Sequence, residues 1–260
     1  MRMQVLISTM HQKDFGLLDK MNIQTEAIVI NQCDKNDYSE FDYNGHNIKW
    51  FSFSERGVGL SRNSALMRAD ADVLLFADDD VVYEDGYEEL ILHEFNNNPK
   101  ASVMVFNLQS LNPDRPEFMD TKKHKLKITN CLKYGACRIA VKREAVIKKN
   151  IMYSLLFGGG ARYQAGEDNL FLTNCLQAGL KCSASSVKIG IVGQKGSTWF
   201  RGYNEKYYMD RGALFCAMYG KKAKFMLFLM ALKEFRRKSE FGFFEKLKLG
   251  KKGIKSFKKL

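Results

Sequence analysis

Short apolar runs alternate with helical spacings along the first hundred residues. Residues 4–9 read as a strand, 14–21 as a short helix, 27–31 as a second strand and 48–53 as a third. The third stops before the turn Glu55-Arg56-Gly57-Val58-Gly59. Leu60, Ala65, Leu66 and Ala69 then line one face of a helix. Val73-Leu74-Leu75-Phe76 follows with no polar alternation, which is the pattern of a strand buried on both faces. A helix over 86–95 and a strand over 101–107 continue the series. Strands alternating with helices predict a mostly parallel sheet with helices on both faces.

The middle of the chain is less regular. The three prolines, Pro99, Pro113 and Pro116, cluster, and residues 108–125 read as a loop. Residues 128–141 have strand character and 143–149 read as a short helix. Gly158-Gly159-Gly160 marks a loop. Residues 168–178 form a helix, with acids in the first turn, Phe171, Cys175 and Leu176 on one face, and Gly179 at its end. A strand over 181–192 and a helix over 204–219 complete the body. The expected organisation is one α/β domain over residues 1–220, with residues 221–260 as a basic amphipathic helical tail.

At 260 residues, 45% hydrophobic and 27% charged, the chain has the composition of a globular protein with a sizeable core. Its net charge of +12 is not spread evenly. Residues 221–260 hold 14 Lys and Arg against 3 acids, while residues 1–220 hold 27 against 26. The six cysteines include no CxxC, and the four histidines are not at zinc-finger spacing, so a reduced, cytoplasmic compartment is expected. No secretory leader is expected from the N-terminal residues. The most apolar segment, residues 225–232, falls far short of the roughly 20 residues a membrane span needs.

Candidate chemistry gathers in two places. Asp78, Asp79 and Asp80 arrive where the 73–76 strand ends, and ligands of open α/β sheets bind beyond such ends. In extended chain Asp78 and Asp80 share a face, where their charges repel unless a cation lies between them. Mg²⁺ suits one or two carboxylates plus substrate phosphates. Simple capping of the next helix is the plain alternative, and a phosphatase of haloacid-dehalogenase type using Asp78 as nucleophile is another, although that chemistry normally sits on a first strand. Glu167 and Asp168 open the 168–178 helix. There the helix dipole favours ionised acids, and an ionised carboxylate can also serve as general base.

Taken in order, these segments resemble the family-2 glycosyltransferases over roughly residues 3–215. The resemblance rests on Ile7-Ser8-Thr9, Ile30-Asn31, Gly59-Leu60-Ser61-Arg62-Asn63-Ser64-Ala65, Leu74-Leu75-Phe76-Ala77-Asp78-Asp79-Asp80 and Gly166-Glu167-Asp168. It implies a GT-A (Rossmann-like) fold and a nucleoside-diphosphate sugar donor with a divalent metal, Mn or Mg. It also implies inverting transfer to a hydroxyl of a glycan or lipid-linked acceptor. Asp80 and Asp78 fall on the metal ligands of the DxD site. Thr9, Asn31, Arg62, Asp78 and Asp79 fall on the nucleotide-sugar side, Asp168 on the catalytic base, and Glu167 beside the acceptor. Where the family usually has Asp after the second strand, this chain has Asn31, which keeps donor and acceptor atoms but not the charge. No His follows His124, so Lys195, Arg201 or Arg211 would serve the diphosphate. Trp199 follows the last strand and could stack on an acceptor sugar, although half-buried packing is the commoner fate of such a Trp.

The tail mixes lysines with Phe243, Phe244, Leu247, Ile254 and Phe257, beyond the apolar run 225–232. That mixture suits an interfacial segment on anionic lipid, and peripheral attachment at an inner membrane face is the expectation. Packing of the run on the body with a solvated basic face is the alternative. No RNA-binding motif is visible, and no nucleic-acid partner is expected. A basic-tailed binding protein with a degenerate site is the non-enzymatic alternative.

Overall fold

The structure, a computed structural model, describes residues 1–194, 202–234 and 240–260. In chain order its elements are β1 (Met3–Met10), α1 (Leu17–Lys20), β2 (Glu26–Gln32), β3 (Asp37–Tyr43), β4 (His46–Phe53) and α2 (Val58–Arg68). Next come β5 (Val73–Asp78), β6 (Val81–Tyr83), α3 (Tyr87–Asn96), β7 (Val103–Ser110), β8 (His124–Lys125) and β9 (Ile139–Lys142). The remainder is α4 (Arg143–Lys148), α5 (Glu167–Gln177), β10 (Cys182–Val192), α6 (Glu205–Tyr219), α7 (Ala223–Lys233) and α8 (Phe243–Phe257).

One sheet runs in the order β3-β4-β2-β1-β5-β9-β7-β10-β6, with β8 paired to β10. Strands β4, β2, β1 and β5 are mutually parallel, as are β7 and β10, while β9 lies antiparallel between β5 and β7. Leu17, Leu18, Tyr87, Ile91 and Phe95 of α1 and α3 fill one face of the sheet. Ala65, Leu66, Phe171 and Leu172 of α2 and α5 fill the other. The expected mixed, mostly parallel sheet with helices on both faces is therefore present. Strand order reverses at β1, since the chain goes to β2 on one side and later returns to β5 on the other. Such a switch point opens a crevice at the carboxyl ends of its strands, where Thr9 and Asp78 lie.

Besides the short strands β6 and β8, which the sequence pattern does not predict, two longer segments differ from the sequence expectation. Residues 37–43 form an edge strand, β3, whose alternating exposed and half-buried residues give only a weak apolar pattern. Residues 128–141 are mostly two single 3-10 turns, Cys131–Lys133 and Ala136–Arg138, with strand only from Ile139. The cause is Arg138, which is fully buried. Its Nε donates to the Phe106 carbonyl at 2.7 Å and Nη2 to Asn107 Oδ1 at 3.0 Å. A turn aims the guanidinium at those acceptors, as burial of a charged group demands.

The tail folds back on the body. Leu249 and Ile254 of α8 are buried, and Phe257 lies 5.8 Å and 6.0 Å, ring to ring, from Phe157 and Tyr163. Helices α6 and α8 cross through glycine: a Cβ at Gly253 would fall on the Met209 carbonyl, and one at Gly212 on that of Gly250. Because the obstacle is backbone, Gly253→Ala is expected to cost about 1–3 kcal/mol, the usual range for overpacking. Urea unfolding measures it, and an unchanged midpoint would mean that the helices separate without penalty.

Candidate active site

The motif from Gly59 to Ala65 lies on α2, and its polar side chains point in separate, defined directions. Ser61 Oγ donates to Ser8 Oγ of β1 at 2.9 Å. Asn63 brackets the Tyr153 backbone, donating to its carbonyl at 2.9 Å and accepting from its N–H at 2.7 Å. Between them Arg62, only 3% exposed, forks across the crevice. Its Nη2 meets Asp78 Oδ1 at 2.7 Å and its Nη1 meets Glu167 Oε1 at 2.9 Å. The guanidinium also lies 5.2 Å from the Tyr153 ring, which stacks on Phe171 at 4.3 Å. Burial works against the charge on Arg62, but Asp78 and Glu167 outweigh it and raise its pKa well above the ordinary value. A single buried cation thus joins the strand-end acids to the helix-start acids.

Each acid occupies a different environment. β5 ends at Asp78, which is partly exposed, and the chain turns at Asp79 and Asp80. Asp79 accepts from Thr9 Oγ1 at 2.6 Å, and Gln12 Nε2 donates to that hydroxyl at 2.9 Å. Asp80 is exposed overall but accepts from the Gln194 N–H at 3.0 Å. Crowding by protein, and then the charge of Asp78, raise its pKa. Asp78 and Asp80, close enough for the charge of one to act on the other, are a donor set that a small divalent cation satisfies, with substrate phosphates completing the shell. Among the described residues no group of three or more His, Cys, Asp or Glu forms a metal cage.

At the other end of Arg62, Gly166 caps α5 at φ 111°, a conformation that L side chains rarely adopt. That turn presents Glu167 and Asp168 in opposite roles. Glu167 is spent on structure, with Oε1 on Arg62 and Oε2 accepting from the Gly166 N–H at 3.1 Å. Among the described residues Asp168 makes one hydrogen bond, accepting from the Asn169 N–H at 2.6 Å. Desolvation first, and then the neighbouring Glu167 charge, raise its pKa to about 7, although Arg62 and Arg211 pull the other way. A carboxylate at that value is matched to accept a proton near neutral pH. Of the three basic residues after His124 considered for the diphosphate, Arg211, on α6, is described, and its charge reaches Asp168 alongside that of Arg62. Trp199, Lys195 and Arg201 lie outside the described residues.

Asn31 is buried at the end of β2. Its Oδ1 accepts from the Gln12 N–H, and its Nδ2 donates to the Gln12 carbonyl, both at 3.0 Å, and to Ser52 Oγ at 3.3 Å. It thereby fixes the loop after β1 as one wall of a cleft of about 510 Å³, also lined by Phe15, Tyr38 and Trp50. The cleft lies within the size range of small-ligand sites. Gln12 and Thr9 connect it to Asp79. Three supporting residues gave no signal in the sequence: Tyr153, Gln12 and Gln194 sit in irregular segments without periodicity, and only contacts across the fold reveal them.

The sequence pattern described as Glycosyl transferase family 2 matches residues 17–155, more than half of the chain. No curated protein matches in sequence. Among solved structures, the S. aureus TarS 1–349 fragment in complex with UDP-GlcNAc aligns at a TM-score of 0.66 and 12% identity, covering 100% of this chain and 92% of that one. The same fragment in complex with UDP aligns at 0.64 and 13%, with the same coverage. A longer S. aureus TarS chain aligns at 0.64 and 14% over 91% of this chain, which spans 44% of that one. These structural matches carry the fold: it is GT-A.

Proposed function

The chain belongs to glycosyl transferase family 2, and from that premise we propose that it moves a sugar from a nucleoside diphosphate to an acceptor hydroxyl, with inversion. The observation that carries this reading is the Arg62 fork, which ties Asp78 to Glu167 and so holds the carboxylate tip and Asp168 in one crevice. The nucleoside occupies the cleft beside Asn31 and its diphosphate lies at Asp78, Asp79 and Asp80. TarS fragments bound to UDP and UDP-GlcNAc make a uridine nucleotide the first to test. Asn31 contributes by shaping the cleft wall, since its amide is already engaged on Gln12 and Ser52.

Asp80 and Asp78 would hold Mn²⁺ or Mg²⁺; when bound, the ion supplies Lewis-acid stabilisation of the departing diphosphate. Asp168 takes the proton of the acceptor hydroxyl, whose oxygen attacks the anomeric carbon from the face opposite the diphosphate. The C–O bond to the diphosphate breaks with its electron pair leaving on oxygen, and one displacement inverts the centre. Glu167 acts by fixing Arg62 and the start of α5 at the acceptor side, and Trp199 is a stacking candidate for the acceptor sugar. We assign the acceptor to the glycan or lipid-linked class used in polysaccharide biosynthesis. The enzyme would work peripherally at an inner membrane face through residues 221–260. Among the described residues no helix is long and apolar enough to cross a membrane.

Thermal melting with a panel of nucleoside diphosphates and their sugars, with and without Mn²⁺, tests the donor class, because a ligand that prefers the folded state raises the melting point. At least one nucleotide sugar is expected to stabilise the protein, and more so with metal. Asp80→Ala is expected to abolish the metal-dependent part of that shift. A shift that keeps its metal dependence in this variant would remove Asp80 from the ligand set.

A further inference from the structure

Helix α7 is apolar on two faces, and among the described residues one of them is buried against the body. Leu227 and Ala231 are buried, Leu227 in a cluster with Phe215, Cys216 and Ile254. Phe225, Phe228, Leu229 and Leu232 recur at i, i+3, i+4 and i+7, and are 61%, 41%, 40% and 50% exposed. The stripe continues onto α8: the Phe228 ring lies 5.8 Å from that of Phe243, which lies 5.3 Å from that of Phe244, itself 81% exposed. Beyond Phe244, a groove of about 340 Å³ runs along α8 between Leu247 and Lys248, Lys251, Lys252 and Lys255. Lys221, Lys222, Lys224 and Lys233 are exposed at the two ends of α7. None of these eight lysines forms an ion pair among the described residues.

We propose that the outer stripe of α7 and the lysine groove of α8 form one docking surface for an anionic lipid bilayer. Exposed apolar rings enter the headgroup boundary while the lysines meet lipid phosphates, the pairing that interfacial helices use. Charge decides against a second copy of the chain as the occupant. Residues 221–260 hold 14 Lys and Arg against 3 acids, so like surfaces brought together would oppose each other. Fold and surface are separable here, because Leu249, Gly253 and Ile254 hold α8 to the body from its inner side. This inference refines the peripheral attachment proposed above by naming the surface and its lipid; it does not depend on the transfer chemistry.

Sedimentation of the full chain with phosphatidylcholine vesicles, and with vesicles that also contain phosphatidylglycerol, tests it. The protein is expected to pellet with the anionic vesicles, and less so at high salt. Leu229→Glu with Leu232→Glu, and separately Lys251→Glu with Lys252→Glu, are each expected to weaken that binding at least about tenfold, at unchanged melting temperature. The donor-induced thermal shift is read on the same samples and is expected to persist in both variants. Its absence from wild type, with vesicle binding intact, would end the transferase reading and leave the surface standing. Equal partition onto neutral and anionic vesicles would overturn the proposal, as would wild-type pelleting by both variants. A vesicle-independent dimer dissolved by Leu229→Glu with Leu232→Glu would assign the stripe to self-association instead. RNA binding sensitive only to the lysine pair, without vesicle binding, would assign the groove to nucleic acid.

Discussion

Asp168→Asn is expected to lower sugar transfer by about 10²–10⁴-fold, the usual contribution of a general base, with little change in donor binding. Asn keeps an oxygen to accept the Asn169 N–H, so the start of α5 stays in place while the proton acceptor is lost. The same variant should be the more stable protein at alkaline pH. Asp168 has its pKa raised in the folded state to about 7, so the native state holds its proton more tightly than the unfolded chain does. The associated stability is therefore fully present below the unfolded value near 3.9 and is lost as pH rises through about 7. Above that pH the wild type carries an ionised, desolvated carboxylate that Asp168→Asn lacks. The variant is expected to gain on the order of 1–4 kcal/mol at pH 8, and the gain should vanish towards pH 4. Wild-type transfer should rise with pH through the same region, since only the ionised form accepts a proton. Denaturant titrations at three pH values together with initial rates check both halves. Wild-type turnover by Asp168→Asn would take the residue out of the mechanism.

The second large effect belongs to Arg62. Removing one partner from a buried ion pair typically costs about 3–5 kcal/mol, because the remaining charge is left uncompensated. In Arg62→Met the stranded group is chiefly Glu167, whose side chain is 12% exposed, and Asp78 loses the contact that orients it. Stability and donor binding should fall together. Arg62→Lys should recover only part of either, because one ammonium cannot reproduce the two-pronged geometry. Adding Glu167→Gln to Arg62→Met should restore part of the lost stability, since the second change removes the stranded charge, and this non-additivity distinguishes an ion-pair network from simple loss of packing. An Arg62→Met protein within about 1 kcal/mol of wild type would show that the fork does not hold the crevice together.

Much of the body was legible along the chain. The buried strand over residues 73–76, the helix opened by Glu167 and Asp168, and the helix with apolar Leu60, Ala65 and Leu66 all carry strong local patterns. Their order was enough to place the two acid clusters in the family's sequence of motifs. For Arg62 the family resemblance implies a place near the nucleotide, and what only the fold adds is that its buried guanidinium links Asp78 to Glu167. Residues 128–141 misled because β-branched and apolar residues there imitate a strand, while the backbone turns to bury Arg138 and Tyr134 against partners far away in sequence. Tyr134 donates to Asp120, an acceptor that no local pattern connects to it.

The tail shows the same division most clearly. The chain itself determined that residues 221–260 are strongly basic and helical in spacing, because charge and periodicity are local properties. Which apolar residues meet the body, and which meet solvent, was decided by the crossing of α6 and α8, where glycine lets the two backbones touch and forces Leu249 and Ile254 inward. Likewise the sequence fixes three aspartates at a strand end and a Glu-Asp pair at a helix start, but their convergence depends on a sheet that reverses direction at β1. Periodicity records how one segment meets an average interior. The identity of the neighbour is set by long-range packing, which no single segment encodes.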